Sequence, residues 1–136
     1  MTRLDEIMSH DVLGVAPEDT LGEAAQKMAE AGFGSVVVLD HGRLIGILTE
    51  RDLLRAVAGR VHSSEARVRE WMTSDPVTAS ASTAAAEAAR LMLERGFRHL
   101  PVVEGDSTVG IVSLRDVMRW SMHVEPGSEQ LGSDFP

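Results

Sequence analysis

The chain of 136 residues lacks several residue classes, and each absence excludes something. It has no cysteine, so disulfides, thiolate metal sites and cysteine nucleophiles are excluded. Aromatic residues make up only 4%, so a core must be built from Val, Leu, Ile, Ala and Met. Basic residues are outnumbered and the net charge is −8, which argues against nucleic acid and against an anionic membrane surface as partners.

Long apolar runs are also missing. No stretch approaches the roughly 20 apolar residues that span a bilayer. The first residues contain no hydrophobic segment of the kind found in a secretory signal. We therefore expect a cytoplasmic protein without a membrane partner.

Clusters that would carry catalysis or bind metal are absent as well. Outside one motif described below, the histidines are scattered without ligand spacing: His10, His41, His62 and His123. Without cysteine or a His-x-x-x-His pair, we expect no metal site. Serine is plentiful, but no serine is marked as a nucleophile by its neighbours. The sequence therefore predicts no catalytic residue and favours a protein that is not an enzyme.

What the chain does contain is an internal repeat. The segments Gly46–Asp52 and Gly110–Asp116 share the pattern Gly-hydrophobic-hydrophobic-Thr/Ser-x-Arg-Asp and lie 64 positions apart. The same offset relates Met8 to Met72, Glu23 to Glu87, Met28 to Met92, Gly32 to Gly96, and Phe33 to Phe97. Such self-similarity indicates one supersecondary unit made twice. We assign residues 1–62 to the first repeat, 63–124 to the second, and 125–136 to a loose tail.

Each repeat predicts the order strand, helix, strand, strand, helix. In the first, Thr20 and Glu23 form a candidate capping box, and Gly32 ends that helix. The remaining predictions for this repeat are a short extended piece at 12–15, a strand at 35–39, a turn at 40–43, a strand at 44–48 and a helix that Thr49 caps and that runs to about Ala58. The second repeat predicts an extended piece at 77–79, a helix at 83–95, strands at 100–103 and 109–112, and a helix from 113 to about 122. Short helical lead-ins are expected at 4–8 and 67–72.

This order, the two motifs and the strand Arg98–Val103 resemble the cystathionine-β-synthase (CBS) domain family. Two such units in tandem are similar to the pair called a Bateman module, over about residues 4–122. The resemblance implies an α/β (α+β) fold in which two β-α-β-β-α repeats pack through their sheets about a pseudo-twofold axis. It also implies no obligatory cofactor. The regulatory ligand would be an adenosyl compound: AMP, ADP, ATP or S-adenosylmethionine, with NAD or dinucleotide signals in some members.

The resemblance also implies the ligand-binding residues. Asp52 and Asp116 would hold the ribose, and Thr49 and Ser113 would help to position ribose or phosphate. In the family each cleft is completed by the other repeat. The Asp52 cleft would then contain Ile47 and Arg51 and borrow Val77, Phe97, Arg98, His99 and Pro101. The Asp116 cleft would contain Ile111 and Arg115 and borrow Leu13, Phe33, Gly34 and Ser35.

Each motif also has a purely structural interpretation. Thr or Ser at the N-cap and Asp three residues later is close to a capping box, which stabilises a helix by about 1 kcal/mol. The functional interpretation uses the same geometry, because a helix N-terminus favours phosphate and an acidic side chain there can accept hydrogen bonds from ribose hydroxyls. Arg51 and Arg115 are either phosphate contacts or solvated surface residues.

The two repeats differ at one informative place. The second has Arg98 and His99 where the first has the uncharged Gly34 and Ser35. The family often neutralises phosphates at this point, so we expect the Asp52 cleft to prefer a phosphorylated ligand. The Asp116 cleft is expected to be weaker, empty or suited to a neutral adenosyl group.

Three functions remain open at this point. The leading one is a regulatory module that senses an adenosyl compound of the AMP, ADP or ATP class between the repeats and transmits it to a protein partner or to self-association. The alternative is a structural module with vestigial clefts, and a small enzyme is the least favoured. The resemblance further implies a homodimer formed through the second helices, with the candidate surface Leu53, Leu54, Val57, Val117, Met118 and Trp120.

Overall fold

The computed structural model describes residues 1–124, and the predicted loose tail at 125–136 lies outside the described residues. Its helices are α1 (Leu4–Ile7), α2 (Leu21–Ala31), α3 (Glu50–Ala58), α4 (Val68–Trp71), α5 (Ala85–Arg95) and α6 (Leu114–Val124). Its strands are β1 (Gly14–Val15), β2 (Ser35–Asp40), β3 (Arg43–Thr49), β4 (Thr73–Ser74), β5 (His99–Glu104) and β6 (Ser107–Ser113). The predicted α+β fold with two β-α-β-β-α repeats is confirmed. Within residues 1–124, no helix is both long and apolar enough to cross a membrane.

The chain divides into two compact units that do not follow the repeat boundaries along the sequence. We call residues 11–77 with 104–108 the Asp52 unit. Residues 1–10, 78–103 and 109–124 form the Asp116 unit. Each unit therefore contains the lead-in helix that precedes the other repeat in the sequence. The repeat remains a valid description of the sequence. In the structure, however, α1 belongs to the Asp116 unit and α4 to the Asp52 unit.

In the Asp52 unit, four strands form one sheet in the order β1-β2-β3-β4. Strand β1 is parallel to β2, and β3 is antiparallel to both β2 and β4. The β2–β3 turn has positive φ at His41 (51°) and Gly42 (81°), as a two-residue hairpin requires. The sheet register pairs Ser35 with Thr49, which brings the start of β2 beside the end of β3.

The Asp116 unit has the same sheet order, but its outer strands are reduced to single bridges. Ala79 bridges Val102 in parallel, and Ser9 bridges Ile111 in antiparallel fashion. The predicted extended piece at 77–79 is thus shorter than expected. Proline explains the difference, because Val37 donates its N–H to the Leu13 carbonyl in the other unit while the equivalent Pro101 has no N–H.

Helix starts differ between the two units. Thr20 caps α2 by accepting the Glu23 N–H at 3.1 Å, and Glu23 accepts the Thr20 N–H at 3.0 Å, so the predicted capping box is confirmed. The prediction of a helix from Thr83 was wrong by two residues, because the helix begins at Ala85. The Thr83 hydroxyl instead accepts the Ser80 N–H at 3.2 Å in the preceding turn.

The core of each unit is aliphatic, as the scarcity of aromatic residues required. Helix and strand faces of the Asp52 unit bury Val15, Leu21, Ala24, Met28, Val36, Val38, Leu48, Ala56 and Val68. The equivalent faces of the Asp116 unit bury Leu4, Ala85, Ala88, Met92, Leu100, Val102, Val112 and Val117. Burial of such side chains contributes about 25 cal/mol per Å² of apolar surface. These packed faces hold the N-termini of α3 and α6 in fixed positions.

Candidate functional site

The first motif forms the N-terminus of α3. Thr49 is the N-cap residue, and Asp52 lies three residues later with only 5% of its surface exposed. The Asp52 Oδ2 atom accepts the Thr49 backbone N–H at 2.9 Å and the Thr49 hydroxyl at 3.2 Å. One carboxylate oxygen is therefore used to complete the helix start, as the structural interpretation of the motif required.

The other oxygen of Asp52 is engaged by an arginine one turn later. Arg55 Nη1 donates to Asp52 Oδ1 at 3.4 Å. The Arg55 guanidinium also lies 5.9 Å from the ring centroid of Trp71 on α4, within cation–π range. Both oxygens of Asp52 thus have partners within the Asp52 unit.

The second motif forms the N-terminus of α6 with a different outcome. Asp116 Oδ2 accepts the Ser113 N–H at 2.8 Å, and Ser113 Oγ accepts the Asp116 N–H at 3.1 Å. Asp116 is half-buried. Across residues 1–124, its Oδ1 takes part in no hydrogen bond or ion pair. Arg119, which corresponds to Arg55 at the 64-residue offset, is exposed and makes no hydrogen bond or ion pair with the rest of residues 1–124.

A cavity of about 260 Å³ opens beside this second carboxylate. It is lined, within the Asp116 unit, by Glu6, Ile7, Asp116, Arg119, Trp120 and His123. The Trp120 Nε1 atom is buried and has no hydrogen-bond partner among the described residues. A second cavity of about 480 Å³ lies in the Asp52 unit, but its lining (Val61, His62, Glu65, Ala66, Glu70 and Trp71) does not include Asp52.

The residue just before β2 lies close to the start of α3, and the residue just before β5 lies close to the start of α6. The Gly34 carbonyl accepts the Glu50 N–H at 3.1 Å, and the Arg98 carbonyl accepts the Leu114 N–H at 2.9 Å. Gly34 therefore lies at the start of α3, in the same unit as Asp52, and Arg98 at the start of α6. The Arg98 side chain is exposed, as are those of Arg51 and Arg115.

Some predicted site residues are part of the core. Ile47 is 6% exposed, and Pro101 is among the fully buried side chains. Leu13 packs against the core of the Asp52 unit. The half-buried positions are Phe33, Val77, Phe97, His99 and Ile111. The expected borrowing of residues between repeats stays a prediction.

Sequence reasoning did not identify the arginines and tryptophans that lie near the two carboxylates. Arg55 and Trp71 close around Asp52, whereas Arg119 and Trp120 leave a cavity beside Asp116. The sequence did contain a sign of this difference. At the 64-residue offset, Trp71 corresponds to Ile7 and Trp120 corresponds to Ala56.

The proposed dimer surface is partly available. Leu54 is 70% exposed, Val57 73% and Met118 56%. Val117, in contrast, is 6% exposed and belongs to the core, so its inclusion in that surface was wrong. Leu53 packs against its own core, and Trp120 is half-buried.

Over residues 1–124, no group of three His, Asp or Glu side chains is arranged to hold a metal ion. The carboxylates at the helix starts instead provide hydrogen-bond acceptors for hydroxyl groups, beside backbone N–H groups that favour anions.

Comparisons with known proteins agree with the repeat and with the fold. The model of the CBS domain matches twice, at residues 4–59 and 68–123. An uncharacterized 17.7 kDa protein of Acidianus ambivalens is 38% identical over 120 residues, which are 87% of this chain and 72% of that protein. Among solved structures, a putative signal-transduction protein with CBS domains from Burkholderia ambifaria is 31% identical with a TM-score of 0.84, over 92% of this chain and 96% of that one. The CBS domain pair of protein MJ0100, in complex with 5-methylthioadenosine and S-adenosyl-L-methionine, is 27% identical with a TM-score of 0.80, over 88% and 94%.

Proposed function

This chain belongs to the CBS domain family, and on that premise we propose that it is a regulatory module that binds an adenosyl compound. We propose one binding position at the start of α3 and another at the start of α6. Binding is transmitted to another protein or to the chain's own self-association. The role is one of binding and not of catalysis.

The observation that carries the proposal is the anchoring of both carboxylates. A backbone N–H of its own helix cap fixes each one, at 2.9 Å for Asp52 and 2.8 Å for Asp116. An anchored carboxylate is oriented before the ligand arrives, which reduces the entropy lost on binding. The two hydroxyl groups of a ribose can donate to such a group, and hydrogen bonds to a charged acceptor are the strong ones.

A relative supports the ligand class. The MJ0100 pair, of similar fold and 27% identity, was solved with two adenosyl compounds that carry no phosphate. We propose the same class for this chain, with Asp52, Asp116, Thr49 and Ser113 in the ribose-binding role. Arg98, Arg51 and Arg115 are proposed as the side chains available to a phosphate where the ligand carries one.

Signalling requires that the ligand distinguishes two states of the protein. A ligand shifts an equilibrium only by the difference between its affinities for the two states. The exposed apolar residues of α3 and α6 offer a surface whose association could differ between those states. We propose that Leu54 and Val57 on α3, and separately Met118 on α6, take part in that association.

The test is a ligand series measured on the full chain. Thermal unfolding with AMP, ADP, ATP, NAD and S-adenosylmethionine should reveal a stabilising ligand, because 100 times the dissociation constant adds about 2.7 kcal/mol. The double variant Asp52→Asn/Asp116→Asn should lose this stabilisation. Glu94→Gln, an exposed change on α5, serves as the control. Absence of stabilisation by every compound would refute the proposal.

A second candidate is favoured by the exposed apolar side chains alone. A structural module needs Leu54 and Val57 for association but no ligand. Light scattering distinguishes the two functions. A stable oligomer that Leu54→Asp dissociates, and that no adenosyl compound alters, would favour the structural module.

A further inference from the structure

The carboxylate of Asp52 has fewer open acceptor positions than that of Asp116. An ionised carboxylate accepts about four hydrogen bonds, about two on each oxygen. Oδ2 of Asp52 accepts the Thr49 backbone N–H at 2.9 Å and the Thr49 hydroxyl at 3.2 Å, and Oδ1 accepts Arg55 Nη1 at 3.4 Å. One of the roughly four positions, on Oδ1, therefore remains open. Asp116 accepts only the Ser113 N–H within residues 1–124, so most of its positions are open.

The Arg55 side chain is held on two sides within the Asp52 unit. It donates to Asp52, and its guanidinium lies 5.9 Å from the ring centroid of Trp71. The side chain of Arg55 is 63% exposed, whereas that of Asp52 is 8% exposed. An arginine that leaves Asp52 therefore stays in contact with water and with the indole ring, and its charge is not buried without a partner.

A ribose brings two vicinal hydroxyl groups, and each of them can donate. The open position on Oδ1 accepts one of them, so the second can bond to Asp52 only after a donor already present has left. The Thr49 backbone N–H is fixed by the start of α3. Of the two side-chain donors, Arg55 makes the longer contact, at 3.4 Å against 3.2 Å for the Thr49 hydroxyl. Arg55 is therefore the donor that leaves.

On the basis of the proposed function, we infer that Arg55 is an internal competitor of the ligand at Asp52, and that a ribose bonds through both hydroxyls only after Arg55 has left Oδ1. Arg55 makes no contact with the ligand in this mechanism. It lowers the affinity at Asp52 and favours ligands whose sugar can replace its hydrogen bond. The equivalent Arg119 makes no hydrogen bond or ion pair within residues 1–124, so Asp116 has no such competitor.

Titration calorimetry with adenosine tests the competition. The Asp116→Asn variant of the full chain leaves Asp52 as the only motif aspartate, and adenosine carries no charge that an arginine could attract. In this variant, Arg55→Met should raise the affinity for adenosine about three- to fivefold, the upper range for an ion pair with one exposed partner. Arg55→Lys keeps the charge and should stay within twofold. Arg43→Met is the matched control, because Arg43 is exposed in the same unit and has no ion pair within residues 1–124.

The sugar and the salt concentration give two independent readouts. 2′-Deoxyadenosine has one of the two hydroxyls and fits the open position without displacing Arg55, so Arg55→Met should change its affinity less than twofold. Salt screens an exposed ion pair. Adenosine should therefore bind more tightly to the Asp116→Asn variant as NaCl rises from about 50 to about 500 mM, and Arg55→Met should remove that dependence. The salt measurement needs no change at Arg55.

Fluorescence reports whether the arginine moves. The chain has two tryptophans, so Trp120→Phe in the Asp116→Asn variant leaves Trp71 as the only one. Saturating adenosine should change the emission of Trp71, because the guanidinium over its ring loses its bond to Asp52. Arg55→Met should reduce that change to less than half. A purely structural role of Arg55 predicts the same ligand-induced change with and without the arginine.

The outcomes separate this inference from the function on which it rests. If Arg55→Met leaves the affinity for adenosine unchanged, or raises adenosine and 2′-deoxyadenosine equally, the inference is wrong while the function stands. It is also wrong if adenosine binds the unaltered chain but does not bind at Asp52 even after Arg55→Met. If adenosine binds none of these chains, the inference fails, and the thermal series with AMP, ATP and S-adenosylmethionine decides the proposed function separately.

Discussion

The glycine that opens each motif should be required for packing, and its replacement by alanine tests this. A Cβ at Gly46 would lie 2.5 Å from Met72 Sδ and 3.0 Å from the Thr73 carbonyl oxygen. A Cβ at Gly110 would fall on Met8 Sδ and lie 2.8 Å from Met8 Cγ. In each unit, the methionine that ends the lead-in segment occupies the space that a side chain would need.

The magnitude follows from two opposing terms. Overpacking a well-filled site costs about 1–3 kcal/mol. Replacing glycine lowers the entropy of the unfolded chain and returns about 0.4–1 kcal/mol. We therefore expect Gly46→Ala to lower the free energy of unfolding by about 1–2 kcal/mol, with part of the cost arising because a backbone carbonyl must move. For a domain of this size the change corresponds to a Tm lower by roughly 4–8 °C.

Urea and thermal unfolding measure the effect, and a double-mutant cycle assigns its cause. In a Met72→Ala background the space beside Gly46 is open, so Gly46→Ala should cost at least about 1 kcal/mol less than in the unaltered chain. Gly59→Ala is the control. A Cβ there makes an ordinary contact at 3.4 Å with the Arg55 carbonyl, and φ is −79°, so this change should be neutral or stabilising.

Two results would refute the packing argument. One is a Gly46→Ala variant as stable as the unaltered chain. The other is a cost that persists unchanged when Met72 is shortened, since the cause would then lie in the strand backbone and not in the methionine.

Three further predictions concern single side chains. Asp52→Ala should lower the free energy of unfolding by about 1–2 kcal/mol in urea, because the α3 cap is lost, and Asp52→Asn should cost less because it keeps an acceptor. The Thr20 backbone N–H and hydroxyl, which donate to Glu23, hold the pKa of that carboxyl below its usual value. Its stabilising effect is present above that value and lost as the pH falls through the lowered pKa, so Glu23→Gln should flatten the acid limb of a Tm–pH curve. Arg98→Ala should weaken AMP more than adenosine in calorimetry.

Each of these has an outcome that contradicts it. If Asp52→Ala is as stable as the unaltered chain, Asp52 does not stabilise the start of α3. Glu87→Gln is the matched control for Glu23, because Ala84 provides no side-chain cap for α5, and an equal flattening by both variants would assign the effect elsewhere. Equal weakening of AMP and adenosine would remove Arg98 from phosphate binding.

Features set by local sequence were predictable. The Thr20–Glu23 capping box, the stop at Gly32 and the hairpin at Gly42 each depend on residues within four positions of one another. The resemblance to the CBS domain family, built on the repeat and its motifs, is confirmed by the family comparison. The start of α5 was mispredicted because the Thr83 hydroxyl had two possible acceptor roles, and the turn at Ser80 used it.

The packing partner of each lead-in helix was not predictable from the sequence. A repeat shows which segments are alike, but it does not show which copy of a lead-in packs on which helix. The Leu4 N–H donates to the Thr83 carbonyl at 2.9 Å, and the Val68 N–H to the Asp19 carbonyl at 2.8 Å. Each lead-in thus bonds to the repeat that does not follow it directly, and this exchange determines what surrounds each aspartate.

The positions of the two tryptophans make the same point in chemical terms. At the 64-residue offset between the repeats, the position equivalent to Ile7 is Trp71, and the position equivalent to Ala56 is Trp120. Read along the chain these are two unrelated substitutions. In the structure they are one exchange, because the large side chain comes from the lead-in helix in one unit and from the second helix in the other. A tryptophan on the lead-in helix lies over the arginine that pairs with Asp52, whereas a tryptophan on α6 lines the cavity beside Asp116, whose Oδ1 has no partner within residues 1–124. The different position of one indole therefore gives the two aspartates different surroundings, although the repeats are alike in sequence.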